Sequence, residues 1–177
     1  SPLVCSVARL ERYKGHHRLI AAMPALLELS PDAHLAVIGR GGYEQQLRRL
    51  VDRLGVERAV TFTSFDGTRR DALGALLRSS DVVALLSDYE ANPVAVMEAL
   101  ALGKKVVVAD TSGLSELALE GLATLVPPDL SPGALAGVLA RVSLEPDPAP
   151  PDLPTWDGCA DQLLALYEEI LSTAPGG

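Results

Sequence analysis

The sequence predicts a Rossmann-like α/β domain of three layers, in which a six-stranded parallel sheet lies between two layers of helices. Apolar runs of strand length alternate with helical patterns along most of the chain, as in repeated β-α units. These runs are continuously apolar, which is typical of strands that are covered on both faces. Alanine, leucine and valine dominate and aromatic residues make up only 4% of the chain, which favours this class over an aromatic-rich β-sandwich.

Each predicted strand is a short apolar run bounded by polar or turn-forming residues. The six strands are expected at residues 3–7, 33–38, 59–63, 82–86, 105–109 and 123–126. Right-handed connections between parallel strands would place helices on both faces of the sheet.

Seven helices are predicted between and after these strands. They are expected at residues 15–29, 43–54, 68–79, 93–102, 114–120, 132–143 and 155–172. Local turn residues support these bounds, because Gly55 stands where a helix C-cap is expected. Ser131 and Pro132 likewise fit an N-cap and a first helical position.

The chain is long enough for one domain with a substantial core, since it has 177 residues. Residues 1–144 are predicted to form the Rossmann-like domain, and the proline-rich, acidic residues 145–154 a connector. Residues 155–177 are expected to be a helix that packs back on the domain, anchored by Trp156 and Tyr167, followed by a short tail. The first strand begins almost at residue 1, as in a piece cut at a domain boundary.

Composition excludes several classes of function. A formal net charge of −8 argues against a broad nucleic-acid-binding surface, which needs many lysines and arginines. No apolar run has the length of a membrane span, and no signal-peptide pattern is present. Cys5 and Cys159 lack metal-ligand spacing and are expected to be buried or partly buried free thiols, which fits a cytoplasmic protein.

The most informative segment spans residues 87–116. Glu90 follows the fourth strand, and Glu98 lies eight positions later inside a helix that is otherwise apolar. An ionised carboxylate is costly to bury without partners, and a ligand that carries hydroxyl groups would supply them.

Other candidate binding residues follow neighbouring strands, so the carboxyl edge of the sheet should collect them. Arg9 and Lys14 follow the first strand and suit phosphate oxygens. Three glycines follow the second strand: Gly39, Gly41 and Gly42. They would allow a ligand to approach the backbone closely and would leave backbone amides free to bind an anion. The N-terminus of the helix that begins at Pro93 would add its partial positive charge, and Glu98 could bind two ribose hydroxyls. These residues together indicate a nucleoside diphosphate.

Each residue also has a plain structural explanation. Arg9 and Lys14 could be ordinary surface charges, and Glu90 an acid placed at a helix start. Glu98 could pair with Lys104 or Lys105, or simply face solvent. A glycine turn that is not GxGxxG is weak evidence alone. His16 and His17 are expected to be solvated helix residues. The expected co-location of the candidates favours the ligand site.

The chain resembles the C-terminal, donor-binding domain of GT-B glycosyltransferases, specifically the retaining enzymes of family 4, also called group 1. Glu90 to Glu98 matches the E-x7-E motif of that family. The other matching segments are residues 6–15 (SVARLERYKG), 37–41 (VIGRG), 98–107 (EALALGKKVV), 113–116 (GLSE) and the last helix, 156–171. The resemblance therefore covers nearly the whole chain.

The resemblance implies roles for individual residues. Arg9 and Lys14 would bind the diphosphate, Glu90 the donor sugar and Glu98 the ribose. Base contacts would come largely from the backbone near residues 62–65, including Phe62 and Ser64.

Two departures from the family pattern stand near the motif. Ala91-Asn92-Pro93 replaces a glycine-rich loop, and because proline has no N–H, the amides of Asn92 and Val94 would have to serve. Lys104-Lys105 stands where the family usually has a proline.

The expected function is therefore the donor-binding half of a retaining glycosyltransferase of the hexosyltransferase type. The donor would be a nucleoside-diphosphate sugar, no metal or other cofactor would be needed, and a missing N-terminal domain of the same protein would bind the acceptor. The isolated chain should then be inactive, and any peripheral membrane association would belong to the full-length protein. The alternative is a non-catalytic nucleotide-sugar-binding or regulatory module. A flavodoxin-like receiver lacks its Asp cluster here, and a dinucleotide dehydrogenase lacks GxGxxG.

Overall fold

A computed structural model describes residues 2–65, 69–152 and 155–173. The predicted start of the third helix at residue 68, the end of the connector at residues 153–154 and the tail after residue 173 lie outside the described residues.

The sheet has the predicted six strands, all paired in parallel. The strands are Leu3–Val7 (β1), His34–Ile38 (β2), Val60–Thr63 (β3), Val82–Leu85 (β4), Val106–Ala109 (β5) and Thr124–Val126 (β6). Their order across the sheet is β3-β2-β1-β4-β5-β6. Every strand end lies within one residue of its predicted position, since continuous burial on both faces makes these runs easy to recognise.

Seven α-helices complete the described part of the chain. They are His16–Leu29 (α1), Glu44–Leu54 (α2), Arg70–Ser79 (α3), Val94–Ala101 (α4), Ser112–Leu119 (α5), Pro132–Leu144 (α6) and Trp156–Thr173 (α7). The predicted caps are present: Gly55 is left-handed with φ 67°, and the Ser131 hydroxyl accepts the amide of Ala134 at 3.3 Å. α5 begins two residues earlier than predicted, at Ser112.

Two apolar cores lie on opposite faces of the sheet, which confirms the three-layer architecture. Side chains alternate along each strand, so that Val4 faces one core and its neighbour Cys5 the other. The first core contains buried residues of α1, α2 and α6, and the second contains those of α3, α4 and α5. Burial raises the pKa of the Cys5 thiol to about 11. Cys159, by contrast, is exposed on α7, which corrects its predicted burial.

α7 does not pack on the domain. Every residue from Thr155 to Ser172 is exposed except for the half-buried Gly158. Trp156 is 91% exposed and Tyr167 is 54% exposed, so the prediction that they anchor the helix is wrong. The physical reason is that the six other helices already cover both faces of the sheet.

Two buried lysines hold the connector. Residues 146–152 form no helix or strand. The Lys104 Nζ donates to Asp147 at 2.6 Å, and the Lys105 Nζ donates to the carbonyl oxygens of Ser143 and Glu145 at 3.0 and 2.6 Å. The alternative that one of these lysines pairs with Glu98 is therefore wrong. A cavity of about 290 Å³ lies beside Lys105, between the connector and the region that precedes β5 and β6.

No helix within the described ranges combines the length and the apolar character that crossing a bilayer requires.

Candidate functional site

The candidate site lies where the strand order reverses. β1 has β2 on one side and β4 on the other, so the loops after β1 and β4 diverge and leave a crevice at the carboxyl ends of these strands. The two loops are locked together at their bases. Asp88 donates its amide to the Tyr13 carbonyl at 2.7 Å, and a Cβ on Gly15 would lie only 1.9 Å from the Leu86 carbonyl oxygen.

Lys14 and Glu90 form an ion pair across this crevice. The Lys14 Nζ lies 2.6 Å from Oε1 of Glu90, and the Ser87 hydroxyl donates to the same oxygen at 2.7 Å. The two charged side chains are only 14% and 9% exposed. The Glu90 Oε2 accepts no hydrogen bond from the described residues, so it is the oxygen available to a ligand hydroxyl. Lys14 and Glu90 are thus brought together as the sequence predicted, whereas Ser87 was missed.

A serine after β5 holds the backbone of Glu90. The Ser112 hydroxyl accepts the Glu90 amide at 2.8 Å and donates to the Glu90 carbonyl at 3.0 Å. Ser112 does so from the left-handed region, with φ 43°, which is unfavourable for a residue with a Cβ. The Gly113 amide reaches the same carbonyl at 3.0 Å. Side chain-to-backbone bonds of this kind leave no pattern in a sequence, which is why Ser112 was missed.

Arg9 lies at the rim on a loop that a buried histidine supports. Its side chain is exposed, and its Nη2 donates to the Tyr13 hydroxyl at 2.6 Å. His16 is fully buried, and burial lowers its pKa to about 4, so it is neutral at pH 7. Its Nδ1 lies 2.9 Å from the Ser6 hydroxyl and its Nε2 lies 3.3 Å from the Arg9 carbonyl. The prediction that His16 is solvated is therefore wrong, and His17 beside it is half-buried.

The glycines after β2 serve close backbone packing. A Cβ on Gly39 would lie 1.9 Å from the Ala8 carbonyl oxygen, and one on Gly41 would lie 2.3 Å from that of Leu10. The Gly39 amide donates to Thr63 at 2.9 Å, so the expectation that it is free for an anion is wrong. Gly42 has open space around it.

Glu98 forms an ion pair with Arg70 at the start of α3. The Arg70 Nη2 lies 2.7 Å from Oε1 of Glu98, and the two side chains are 76% and 32% exposed. Leu73, one turn further along α3, lines this part of the surface and also the cleft beside β1 and β2. The pocket that Glu98 lines and the cleft that Arg9 and Gly39 line are thus neighbours, with Leu73 common to both. The sequence offered no signal for Arg70, because its partner is 28 positions away.

The cleft itself has a volume of about 290 Å³. Residues from the ends of β1, β2 and β3 and from α3 line it; they include Arg9, Gly39, Arg40, Ser64, Phe65 and Leu73. Phe62 instead packs against the core of α1 and α2, with the Arg48 guanidinium 4.4 Å above its ring. The Phe62 side chain thus faces away from the cleft, whereas Ser64 and Phe65 line it; that the backbone near residues 62–65 contacts a base stays a prediction.

The start of α4 differs from the prediction at one amide. The Val94 N–H donates to the Asn92 carbonyl at 3.0 Å and so is not free for a ligand. Pro93 is buried at the N-cap, and Asn92 is exposed. Of the two expected donors, only the Asn92 amide lacks a partner among the described residues.

Among residues 2–65, 69–152 and 155–173, no group of three or more His, Cys, Asp or Glu side chains could hold a metal ion. That the reaction needs no metal stays a prediction.

Comparison with known proteins decides the family. The family model described as "Glycosyl transferases group 1" matches residues 1–151. The chain belongs to this family. It is 32% identical over 185 residues to a D-inositol 3-phosphate glycosyltransferase of Corynebacterium glutamicum (strain R), an alignment that covers 96% of this chain and 44% of that protein.

Several solved structures share the fold of this chain. The C-terminal domain of a group 1 protein (LpcC) from Francisella tularensis has a TM-score of 0.67 at 22% identity, covering 80% of this chain and 74% of that one. Anabaena HepE in complex with UDP has a TM-score of 0.65 at 24% identity, covering 97% of this chain and 48% of that one. The chain thus spans about half the length of the Corynebacterium glutamicum relative and of HepE, and its fold is the Rossmann-like half expected of a GT-B glycosyltransferase.

Proposed function

We propose that this chain is the donor-binding half of a retaining glycosyltransferase that transfers a sugar from a nucleoside-diphosphate sugar. The single observation that carries the proposal is the shielded Lys14–Glu90 pair, 2.6 Å apart, at the carboxyl ends of the two central strands. A group 1 family match over residues 1–151 supports the same class of activity.

Lys14 can serve the phosphate and the sugar side of such a donor together. An ammonium group has three N–H donors, and Glu90 takes one of them. The other two are available to diphosphate oxygens, with Arg9 at the rim of the crevice as a second cation. As the bond to the sugar breaks, negative charge grows on the leaving phosphate while the sugar becomes oxocarbenium-like. Fixed positive charge at that oxygen stabilises the transition state. Glu90 Oε2 would orient the sugar through a hydroxyl.

Glu98 would bind the two ribose hydroxyls. Arg70 contacts only Oε1, so Oε2 is still able to accept. Arg70 is largely exposed, and exposed ion pairs contribute about 0–1 kcal/mol, so ribose hydroxyls can displace or share this contact at little cost.

The acceptor would bind to a second, N-terminal domain of a longer protein. The chain covers 44% of the D-inositol 3-phosphate glycosyltransferase of Corynebacterium glutamicum, which leaves length for such a domain. The exposed apolar side chains of α7 are a surface that it could cover; they are Trp156, Leu163, Leu164, Leu166, Tyr167, Ile170 and Leu171. Donor binding without a metal, a cytoplasmic location and any membrane association of the full-length protein belong to this proposal as predictions.

Calorimetric titration with UDP, GDP and ADP tests donor binding. Glu98→Ala should weaken the best ligand about tenfold or more, because hydrogen bonds to a charged acceptor are lost. Glu44→Ala is the matched control, since it removes another partly exposed ion-paired carboxylate on a helix, the partner of Arg48. Equal affinity of the Glu98 variant and the parent chain would refute the ribose assignment.

Turnover distinguishes the enzyme from a binding module. The isolated chain should bind the donor without transferring its sugar, whereas the full-length protein should transfer it with an unchanged anomeric configuration, as read by NMR. Inversion would contradict the retaining mechanism. A full-length protein that binds the donor but transfers to no acceptor would favour the regulatory module.

A further inference from the structure

The geometry points to a guanine base in the donor, read by Arg40. This inference rests on the proposed function, because it assigns the nucleobase of the same nucleoside-diphosphate sugar. It adds a specificity-determining residue that neither the motif nor the ion pairs identify.

Arg40 is held at both its backbone and its side chain. It lies between two glycines whose backbones pack against Ala8 and Leu10, and its carbonyl accepts the Leu10 amide at 2.9 Å. Its Nε donates to the Ser64 hydroxyl at 2.9 Å. With Nε occupied, the two terminal nitrogens of the guanidinium remain, and neither has a partner among the described residues. A guanidinium is planar, so these two nitrogens present parallel N–H groups as a fork.

The cleft beside Arg40 suits a flat ring that carries acceptors. Apolar walls come from Val7 and Ile38 at the strand ends and from Phe65 and Leu73 on the other side. The polar side chains of its described lining are Arg9, Arg40 and Ser64, which are donors or hydroxyls and not carboxylates. Such a lining matches a base edge made of acceptors.

Only guanine offers two adjacent acceptors to a fork of this kind. Its O6 and N7 accept two parallel hydrogen bonds from one arginine. Adenine places an amino donor beside N7, so one arm of the fork would face another donor. Uracil presents O4 beside a C–H, so one arm would have no acceptor. Because Arg40 is solvent-exposed, we expect the lower end of the usual discrimination, about five- to tenfold in favour of GDP.

Arg40 could instead contact the phosphates, since Arg9 lies in the same cleft. The two roles differ in what they depend on. A phosphate contact depends on charge and acts equally on GDP, UDP and ADP. Base reading depends on the fork and acts on GDP alone, so lysine preserves the first role and removes the second.

The test is calorimetric titration of the chain with GDP, UDP, ADP, IDP and the 7-deaza analogue of GDP. We expect GDP and IDP, which share O6 and N7, to bind about five- to tenfold more tightly than the other three. Arg40→Lys should abolish this preference and leave UDP affinity within about twofold. Ser64→Ala should reduce the preference by releasing the guanidinium. Arg58→Ala is the control for Arg40→Ala, because it also removes one positive charge; Arg58 lies in the turn before β3, at the amino-terminal end of that strand, and its loss should alter nothing.

Three outcomes would overturn the inference while leaving nucleotide binding intact. Tighter binding of UDP or ADP than of GDP would assign another base. A uniform loss for all nucleotides in Arg40→Ala, together with an unchanged GDP preference, would make Arg40 a phosphate ligand. Unchanged affinity for 7-deaza-GDP would remove N7 from the contact. If no nucleotide binds at all, the proposed function fails, and the base assignment fails with it.

Discussion

The strained serine that holds Glu90 makes a quantitative prediction about two substitutions. Ser112 provides two hydrogen bonds, at 2.8 and 3.0 Å, to the amide and carbonyl of Glu90, and it does so with φ 43°. At about 1 kcal/mol each, loss of both bonds costs about 2 kcal/mol. A left-handed residue with a Cβ carries about 1 kcal/mol of strain, which glycine relieves. Ser112→Ala should therefore lower the free energy of unfolding by about 2 kcal/mol, and Ser112→Gly by only about 1 kcal/mol.

Urea unfolding at pH 7 measures this difference. The expected order, with glycine more stable than alanine at a position inside α5, is the reverse of ordinary helix propensity. Ser115→Ala is the control on the same helix, because it removes only an exposed bond to Asp110 and should change stability by less than about 0.5 kcal/mol. Alanine as stable as glycine at position 112 would refute the strain argument.

A second readout separates positioning from general stability. If Ser112 sets the place of Glu90, its loss should reduce the extra affinity that the sugar adds to the donor. Affinity for the nucleoside diphosphate alone should stay within about twofold, since Arg9 and Glu98 have their own partners, Tyr13 and Arg70, and do not depend on this bond. Equal losses for the diphosphate and the sugar donor would show only that the loop had loosened.

Two further predictions concern buried charge. His16 has its pKa lowered to about 4 by burial, against an ordinary 6.5, so the unfolded chain binds the extra proton between these values and the free energy of unfolding decreases as the pH falls through this window. We expect a loss of about 2 kcal/mol from pH 7 to pH 5, by urea unfolding. His16→Gln should remove the part due to His16 and leave the part due to His17, whose pKa burial also lowers. The lowered pKa of Asp147, caused chiefly by its bond to Lys104, acts only below its ordinary 3.8 and so leaves this window unaffected. Lys105→Met should lower the free energy of unfolding by about 1–2 kcal/mol, because two hydrogen bonds to carbonyl oxygens are lost. The control Arg141→Met breaks an exposed pair with Glu145 and should lower it by less than about 0.5 kcal/mol. Equal losses for the two variants would contradict the role of the buried lysine.

The sheet and the central ion pair were predictable because their causes are local or topological. Strands such as Val106–Ala109 are buried on both faces, so every residue in them is apolar and the run is visible in the sequence. Once β1 and β4 are placed next to each other in a parallel sheet, Lys14 and Glu90 must follow strands that end at the same edge. Their meeting follows from topology without knowledge of side-chain positions.

Features that were missed depend on distant partners or on the face a side chain takes. Arg70 meets Glu98 through the packing of α3 beside α4, and nothing near Arg70 in the sequence marks it. Phe62 and Phe65 look equivalent in sequence, but the register of β3 sends the first to the core of α1 and α2 and leaves the second at the cleft. For α7, the apolar pattern led to the wrong prediction that the helix packs back on the domain, because the other six helices already cover both faces of the sheet.

The lysine pair shows how this chain manages a departure from its family's pattern. A proline at position 105 would supply stiffness to the turn but no hydrogen bond. The Lys105 ammonium instead lies at the C-terminal end of α6, where it binds the carbonyls of Ser143 and Glu145. A cation there complements the partial negative charge of the helix end. Lys104, only 7% exposed, binds Asp147 and the Arg78 carbonyl, so the end of α3 and the connector are joined at one point. The connector is therefore held just after α6, beside the start of β5, whereas the site lies at the carboxyl ends of the strands. Substitutions at Lys104 and Lys105 should then change the mobility of the connector without altering the crevice that holds Lys14.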